Sequence, residues 1–370
     1  MMSRLRRSGA RSSYWLYGMV VALVCAMLVG GAAQGAYQKK PQKPGDRGLS
    51  SFLEEARKKL AAMPPGLVPD VKRTFDQVRE KDAGSFFLSN KNLLGQMPAG
   101  YNESSGLLPH FHQQGIQRLP GGGYVVSGST KSSSASYFYV ADVGGNVVNV
   151  THIEQGRYSH AGGIQVCGNI LAVGVEQPGN RTGGSKVCFY DLTNPNLPSR
   201  LPLTIPRDPY TAGAVGLTRF GSNYLCVVGD YNSERLDFYQ FGTDRVRREF
   251  GTAQGITVIG RRVAGGDWKA YQNLNLFVDA QQTPWIVAMH TDLVPFMKDW
   301  ADLWRVTFDG RGGFQLKKEG KKHHVRSGDG PRFIFGSGYT YVPTLGRFQV
   351  YSIEALMSSS GITRAAAWNL

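Results

Sequence analysis

The chain has 370 residues, 41% of them hydrophobic, with 42 Lys and Arg against 27 Asp and Glu and a formal charge of +15. That apolar share is enough for a real core, and one all-β domain can use most of the length. The 47 glycines suit a fold of many tight turns, and the excess of basic groups favours anionic company or a solvated basic surface.

The N-terminus reads as an export signal. Arg4, Arg6, Arg7 and Arg11 form a basic flank without acids, Tyr14 to Ala33 is an apolar run, and Gly31-Ala-Ala33 and Ala33-Gln-Gly35 offer small-residue cleavage sites. Residues 1–35 are therefore expected to be a signal peptide, with an uncleaved membrane anchor as the alternative. Export places the body in the periplasm or outside the cell, and cleavage lowers its charge from +15 to +11 by removing those four arginines. Three cysteines then remain, Cys167, Cys188 and Cys226, all in apolar strand contexts that suit buried thiols. A Cys167–Cys188 bridge is the one pairing that would fall within a single repeat. There is no Cys-x-x-Cys and no zinc spacing.

Residues 36–109 read as a tether and two short helices. Tyr37 to Gly48 is rich in Lys, Gln, Pro and Gly. Ser51-Phe-Leu-Glu54 is a capping box opening a helix that Pro64-Pro65 stops. Asp70 caps a second helix with Val71, Phe75 and Val78 on one face. Ser85 to Leu88 reads as a lone strand, and Asn90 to Leu108 as loop.

From residue 110 to 370 the chain repeats itself. His160-Ala-Gly-Gly-Ile-Gln165 opens a hairpin whose second strand ends at Glu176, and His112-Gln-Gln-Gly-Ile-Gln117 opens a similar one. Val215 to Asp230 repeats the outline, and Leu274 to His290 and Arg332 to Val342 are fainter copies. A period near 50 built from short strands is the signature of a β-propeller, one four-stranded blade per repeat. Five blades are readable, with six as the alternative. The fourth strand of the third blade is expected at Val246–Phe250 and the first strand of the fifth at Arg332–Gly336. Gly251–Ala270 and Asp292–Ala301 read as loop insertions.

The third strands resemble one another: Tyr137-Phe-Tyr-Val-Ala-Asp142, Val187-Cys-Phe-Tyr-Asp191, Leu236-Asp-Phe-Tyr239, Leu303-Trp-Arg-Val-Thr307 and Phe348-Gln-Val-Tyr351. Val187 to Asp191 followed by Leu-Thr-Asn-Pro195 resembles the LVIVD-type propeller repeat, a Val/Tyr-rich strand ending in Asp and followed by Asn-Pro. The likeness is clear in this blade and partial at Tyr139-Val-Ala-Asp142. It implies an exported or surface propeller, in a family of mostly unknown role.

In such a hairpin the start of the first strand lies beside the end of the second. That register places His112 beside Ser127, His160 beside Glu176, Gly213 beside Asp230 and Gln272 beside His290. His112, His160, Glu176, Asp230 and His290 are thus expected on one rim of the axial channel. Converging imidazoles and carboxylates suit a divalent metal, a small ligand, or acid–base chemistry in a hydrolase or lyase. Polar residues are also simply tolerated at strand ends. The leading expectation is a non-enzymatic binding or scaffold role, with a small ligand or an anionic envelope component as partner.

The basic run Lys317, Lys318, Lys321, Lys322 and Arg326 is expected to be a loop between blades. It would form a weaker anionic-partner patch, extended by Arg245, Arg247, Arg248, Arg261 and Arg262. No aromatic residues interleave the run, which disfavours nucleic acid. No Gly-x-Ser-x-Gly elbow and no phosphate-loop context are present.

Overall fold

A computed structural model describes residues 63–81, 83–89, 111–130, 135–177, 184–244, 246, 256–263, 265–292, 297–325, 331–334, 336–354 and 362–369. The expected signal segment, the tether, the first helix and the loop ending at Leu108 lie outside them. Among the described residues no helix is long and apolar enough to cross a membrane.

The second expected helix is present as α1 (Val71–Asp76), with the Asp70 side chain accepting the Arg73 backbone N–H at its N-cap. Val71, Phe75 and Val78 are buried, as their shared face requires. The expected lone strand is real but is not alone. β1 (Gly84–Ser89) pairs antiparallel with the last strand of the chain, Ile362–Trp368. It therefore belongs to the folded body, ahead of the boundary expected at residue 110.

The remainder is all β. The first sheet is β2 (Phe111–Arg118), β3 (Tyr124–Thr130), β4 (Ala135–Ala141) and β5 (Val147–Gln155). The second is β6 (His160–Cys167), β7 (Ile170–Glu176), β8 (Ser185–Asp191) and β9 (Ser199–Pro206). The third is β10 (Ala214–Phe220), β11 (Asn223–Gly229), β12 (Arg235–Gly242) and β13 (Ile256–Val263). The fourth is β14 (Asn273–Val278), β15 (Pro284–Asp292), β16 (Lys298–Phe308) and β17 (Phe314–His324). β18 (Gly336–Val342), β19 (Arg347–Ile353) and β20 (Ile362–Trp368) make a fifth, with β1 as its outermost strand. One parallel pair, Ser337 and Gly115, joins this last sheet to the first. The first strands adjoin in a cycle, β2 to β6, β6 to β10, β10 to β14, β14 to β18 and β18 to β2.

Two expected strands are corrected. The fourth strand of the third sheet is β13, inside the stretch read as an insertion, while most of Val246–Phe250 lies outside the described residues. An outer strand buries only one face, so its sequence signal is weak. The fifth sheet begins at Gly336 rather than at Arg332. The apolar residues that suggested a strand there include Phe333, fully buried against His324 and Trp368.

The space between the first strands is filled. Gln165 on β6 accepts the Leu217 and Leu276 backbone N–H groups and donates to the Leu276 carbonyl, tying β10 and β14 together. Asn275 accepts the Tyr339 N–H, and Gln117 accepts the Thr340 hydroxyl. A Cβ at Gly115 would lie 2.9 Å from Ile164 Cγ1, so that position needs glycine for the strands to approach. The recurring Gly-Ile-Gln is thus a packing device of neighbouring first strands.

The chain before β1 crosses the end of these strands opposite His160. The Pro65 carbonyl accepts from Cys167 Sγ, and Gly66 and Val68 pair with Thr218 and Val278. Phe75 stacks on Tyr339 with centroids 6.0 Å apart, and the Asp76 carbonyl accepts from Lys322. Cys167, Cys188 and Cys226 are free and buried, so the Cys167–Cys188 bridge does not form. Burial pushes the thiol of Cys188 up to about 11 and that of Cys167 up to about 12.

Candidate functional site

The register brings His160 and Glu176 directly opposite each other at the open end of β6 and β7. His160 Nε2 stands 4.0 Å from Glu176 Oε1, and Ser129 Oγ lies 3.1 Å from His160 Nδ1. Glu176 Oε2 accepts the Ala212 backbone N–H at 3.1 Å. Burial of the Glu176 side chain raises its carboxyl to about 7. Hydrogen bonds from Ala212 and Thr211 and the charge of Arg207 pull against that rise, while Asp230 adds to it.

Asp230 sits opposite Gly213, as the register predicts, because Ala214 pairs with Gly229. Its carboxylate accepts the Arg235 backbone N–H, and burial raises its pKa. His112 pairs with Ser129, not Ser127: Ser127 faces Gly115, and a bulge between Gln113 and Gly115 brings His112 opposite Ser129 where the unbroken register would have given Thr130. Its side chain is outside the described residues.

His290 does not join this group. It is buried in the fourth sheet, with Nε2 3.8 Å from Asp302 and Nδ1 3.4 Å from Asp292. Asp302, wholly buried, also takes Lys318 Nζ at 2.7 Å and the Tyr271 hydroxyl, which Trp304 Nε1 in turn reaches at 3.1 Å. Burial lowers the His290 pKa, against the pull of Asp302 and Asp292. The rim thus resolves into a His160–Glu176 pair with Asp230 nearby, and a separate buried His290 set between Asp302 and Asp292. Among the described residues no group of three or more His, Cys, Asp or Glu could hold a metal ion.

The basic run is corrected as well. Lys317, Lys318, Lys321 and Lys322 lie on β17, the outermost strand of the fourth sheet, and each is engaged. Lys317 pairs with Glu319, Lys318 with Asp302, Lys321 covers the Trp300 ring at 3.7 Å, and Lys322 donates to Asp76. Arg326 is outside the described residues.

Residues the sequence reading passed over complete the picture. Ser129 lies two residues beyond Ser127, the partner that the hairpin outline suggested for His112. Arg207 lies between strands with no motif around it. Asp237 carried a signal, an acid inside the apolar Leu-Asp-Phe-Tyr239, since a carboxylate in a buried strand requires a partner. Arg207 Nη2 meets it at 2.6 Å, with side chains 0% and 3% exposed.

No family model matches the chain, and no curated protein matches it. Solved structures do. One is an α-L-arabinanase of Penicillium chrysogenum complexed with arabinobiose, 8% identical, covering 78% of this chain and 98% of that one at a TM-score of 0.42. AofleA of Arthrobotrys oligospora is 10% identical, covering 79% of this chain and 87% of that one at 0.38. A bifunctional GH43-CE protein of Bacteroides eggerthii is 12% identical at 0.39, covering 76% of this chain, which spans 34% of that protein's length. Likenesses this distant carry neither activity nor ligand to this chain.

Proposed function

We propose that the chain is an exported five-bladed β-propeller, related to the LVIVD-type repeat proteins, that works as a hydrolase or lyase through Glu176 and His160. Five antiparallel four-stranded sheets whose first strands adjoin in a cycle support the propeller. The LVIVD-type reading rests on the Val187–Asp191 strand followed by Asn194-Pro195, where Asp191 accepts the Thr193 N–H and the Asn169 amide.

The observation that carries the chemistry is a buried carboxyl, raised to about 7, beside an imidazole at 4.0 Å. A carboxyl with that pKa gives or takes a proton at neutral pH. In hydrolysis Glu176 gives its proton to the leaving group, water adds its hydroxide to the cleaved centre, and His160 returns the remaining proton to Glu176. Ser129 on Nδ1 orients the ring.

A second reading, ligand binding without turnover, draws on the engagement of Glu176 by Ala212 and of His160 by Ser129. The test is a turnover screen over chromogenic esters, chromogenic glycosides and polyuronates. The expected activity has a pH arm near 7 that disappears in Glu176→Gln, with turnover falling about 10²-fold or more. No turnover on any substrate, or full turnover in Glu176→Gln, rejects the enzymatic reading and leaves binding.

A further inference from the structure

We infer that Arg235 and Arg261, backed by Arg207, form a subsite for an anionic group of the substrate: a carboxylate, sulfate or phosphate ester. Three guanidiniums converge on one carboxylate. Arg207 Nη2 lies 2.6 Å from Asp237 Oδ2, Arg235 Nε 3.5 Å from the same oxygen, and Arg261 Nε 3.5 Å from Oδ1. Asp237 neutralises one of the three. Arg207 makes the buried pair, which leaves Arg235 and the 58%-exposed Arg261 as cations on the solvent side.

Hydrogen bonding is incomplete in the same place. Arg207 Nε, Arg235 Nε and Asp237 Oδ1 are buried without a hydrogen-bond partner. A buried guanidinium donor without an acceptor is costly, and an anion with several oxygens supplies acceptors that a single Asp cannot. The Arg235 guanidinium carbon also lies over the Tyr210 ring, 3.8 Å from its centroid, which restrains the fork while Tyr210 stays 38% exposed.

The subsite is built into the same loop as the acid–base pair. Arg207 donates its backbone N–H to Ser185, which pairs with Glu176, and donates from its side chain to the Thr211 carbonyl. The next residue, Ala212, donates to Glu176. One six-residue segment, 207–212, thus anchors the cationic cluster at one end and the carboxyl at the other. Asp208 is drawn off by Arg157 at 3.7 Å, while Asp230, which accepts the Arg235 backbone N–H, limits the site to a small anion.

The inference rests on the acid–base reading for the word substrate, whereas binding itself is measured without turnover. Inorganic sulfate, inorganic phosphate and glucuronate are titrated calorimetrically into the full chain at constant ionic strength. At least one should bind, with affinity falling about tenfold or more in Arg261→Ala and in Arg235→Ala and unchanged in Asp279→Asn, at the opposite end of the strands. Whichever probe binds best identifies the anion. Absence of binding by all three, or unaltered binding in both arginine variants, overturns the subsite. Binding that survives while Glu176→Gln shows no catalytic effect overturns the acid–base reading alone. Arg207 and Asp237 are left intact because removing either strands a buried charge and threatens the fold.

Discussion

At the end of the inner strands crossed by the N-terminal segment, Asp309 accepts the backbone N–H groups of Arg311 and Gly313, which hold its carboxyl below the usual range. At the other end, burial lifts Glu176 to about 7. Asp142, in a turn of the same kind as that of Asp309, is also lowered: desolvation raises its pKa, but the donors from Asn146, Gly144 and Gly145 together outweigh it. Aspartates at the ends of third strands thus close turns and stay ionised in water. Glu176 ends a second strand between neighbouring sheets, with one backbone donor and little solvent. Position in the sheet, more than residue type, separates a structural carboxylate from one able to exchange protons near neutrality.

The largest effect that would test this contrast comes from His324, the buried titratable group on the side of α1. Burial, helped by the charges of Lys322 and His323, lowers its pKa to about 3. A base depressed in this way favours the fold above about pH 6.5, and that contribution is lost as pH falls towards 3. Urea unfolding between pH 7 and pH 3.5 should therefore show an acid limb with about 4 kcal/mol from this group alone. His324→Phe should flatten that part of the limb, while weakening the fold at neutral pH because Tyr339 loses the partner of its hydroxyl. An unchanged acid limb in the variant would mean that His324 is solvated.

Glu176 has the opposite sign. Its raised pKa means that the folded state holds the proton more tightly, so its contribution is complete below about pH 4.5 and lost as pH rises through 7. The drop between pH 5 and pH 8 should be about 3 kcal/mol in the wild type and absent in Glu176→Gln. If the drop persists in Glu176→Gln, another group titrates there and the contrast between the two ends fails.

The legible part of this fold was local. Hairpin register, set by alternating apolar residues and Gly turns, placed His160 against Glu176 and ended β7 at Glu176, where it does end. What local pattern does not encode is pairing across the length of the chain. β1 and β20 are separated by the whole body, so β1 looked solitary. Register in the first hairpin was legible only near its turn: Ser127 faces Gly115 rather than His112, and the bulge at Gln113 to Gly115 then moves the partner of His112 by one residue, from Thr130 to Ser129. His290 was placed correctly by register but not by partner. Its ring meets Asp302 on the adjacent strand β16, and that contact depends on which sheet face each residue takes.

The smallest expected effect tests the turn-closing half of the contrast. Asp279 follows β14 and is almost buried; Oδ1 accepts the Gln281 and Thr283 N–H groups, and Oδ2 accepts Trp285 Nε1 at 2.9 Å. Asp279→Ala leaves three donors without this acceptor, one of them a buried indole N–H, and should cost about 2 kcal/mol by urea unfolding. Asp279→Asn keeps an oxygen for the two backbone donors and loses only the acceptor for Trp285, so it should cost about half as much, ~1 kcal/mol. Neither variant should alter turnover or the loss of stability between pH 5 and pH 8, because Asp279 lies at the end of β14 opposite the rim. A change in that titration in Asp279→Asn would couple the two ends through β14 and Gln165, the side chain that bridges the first strands between them.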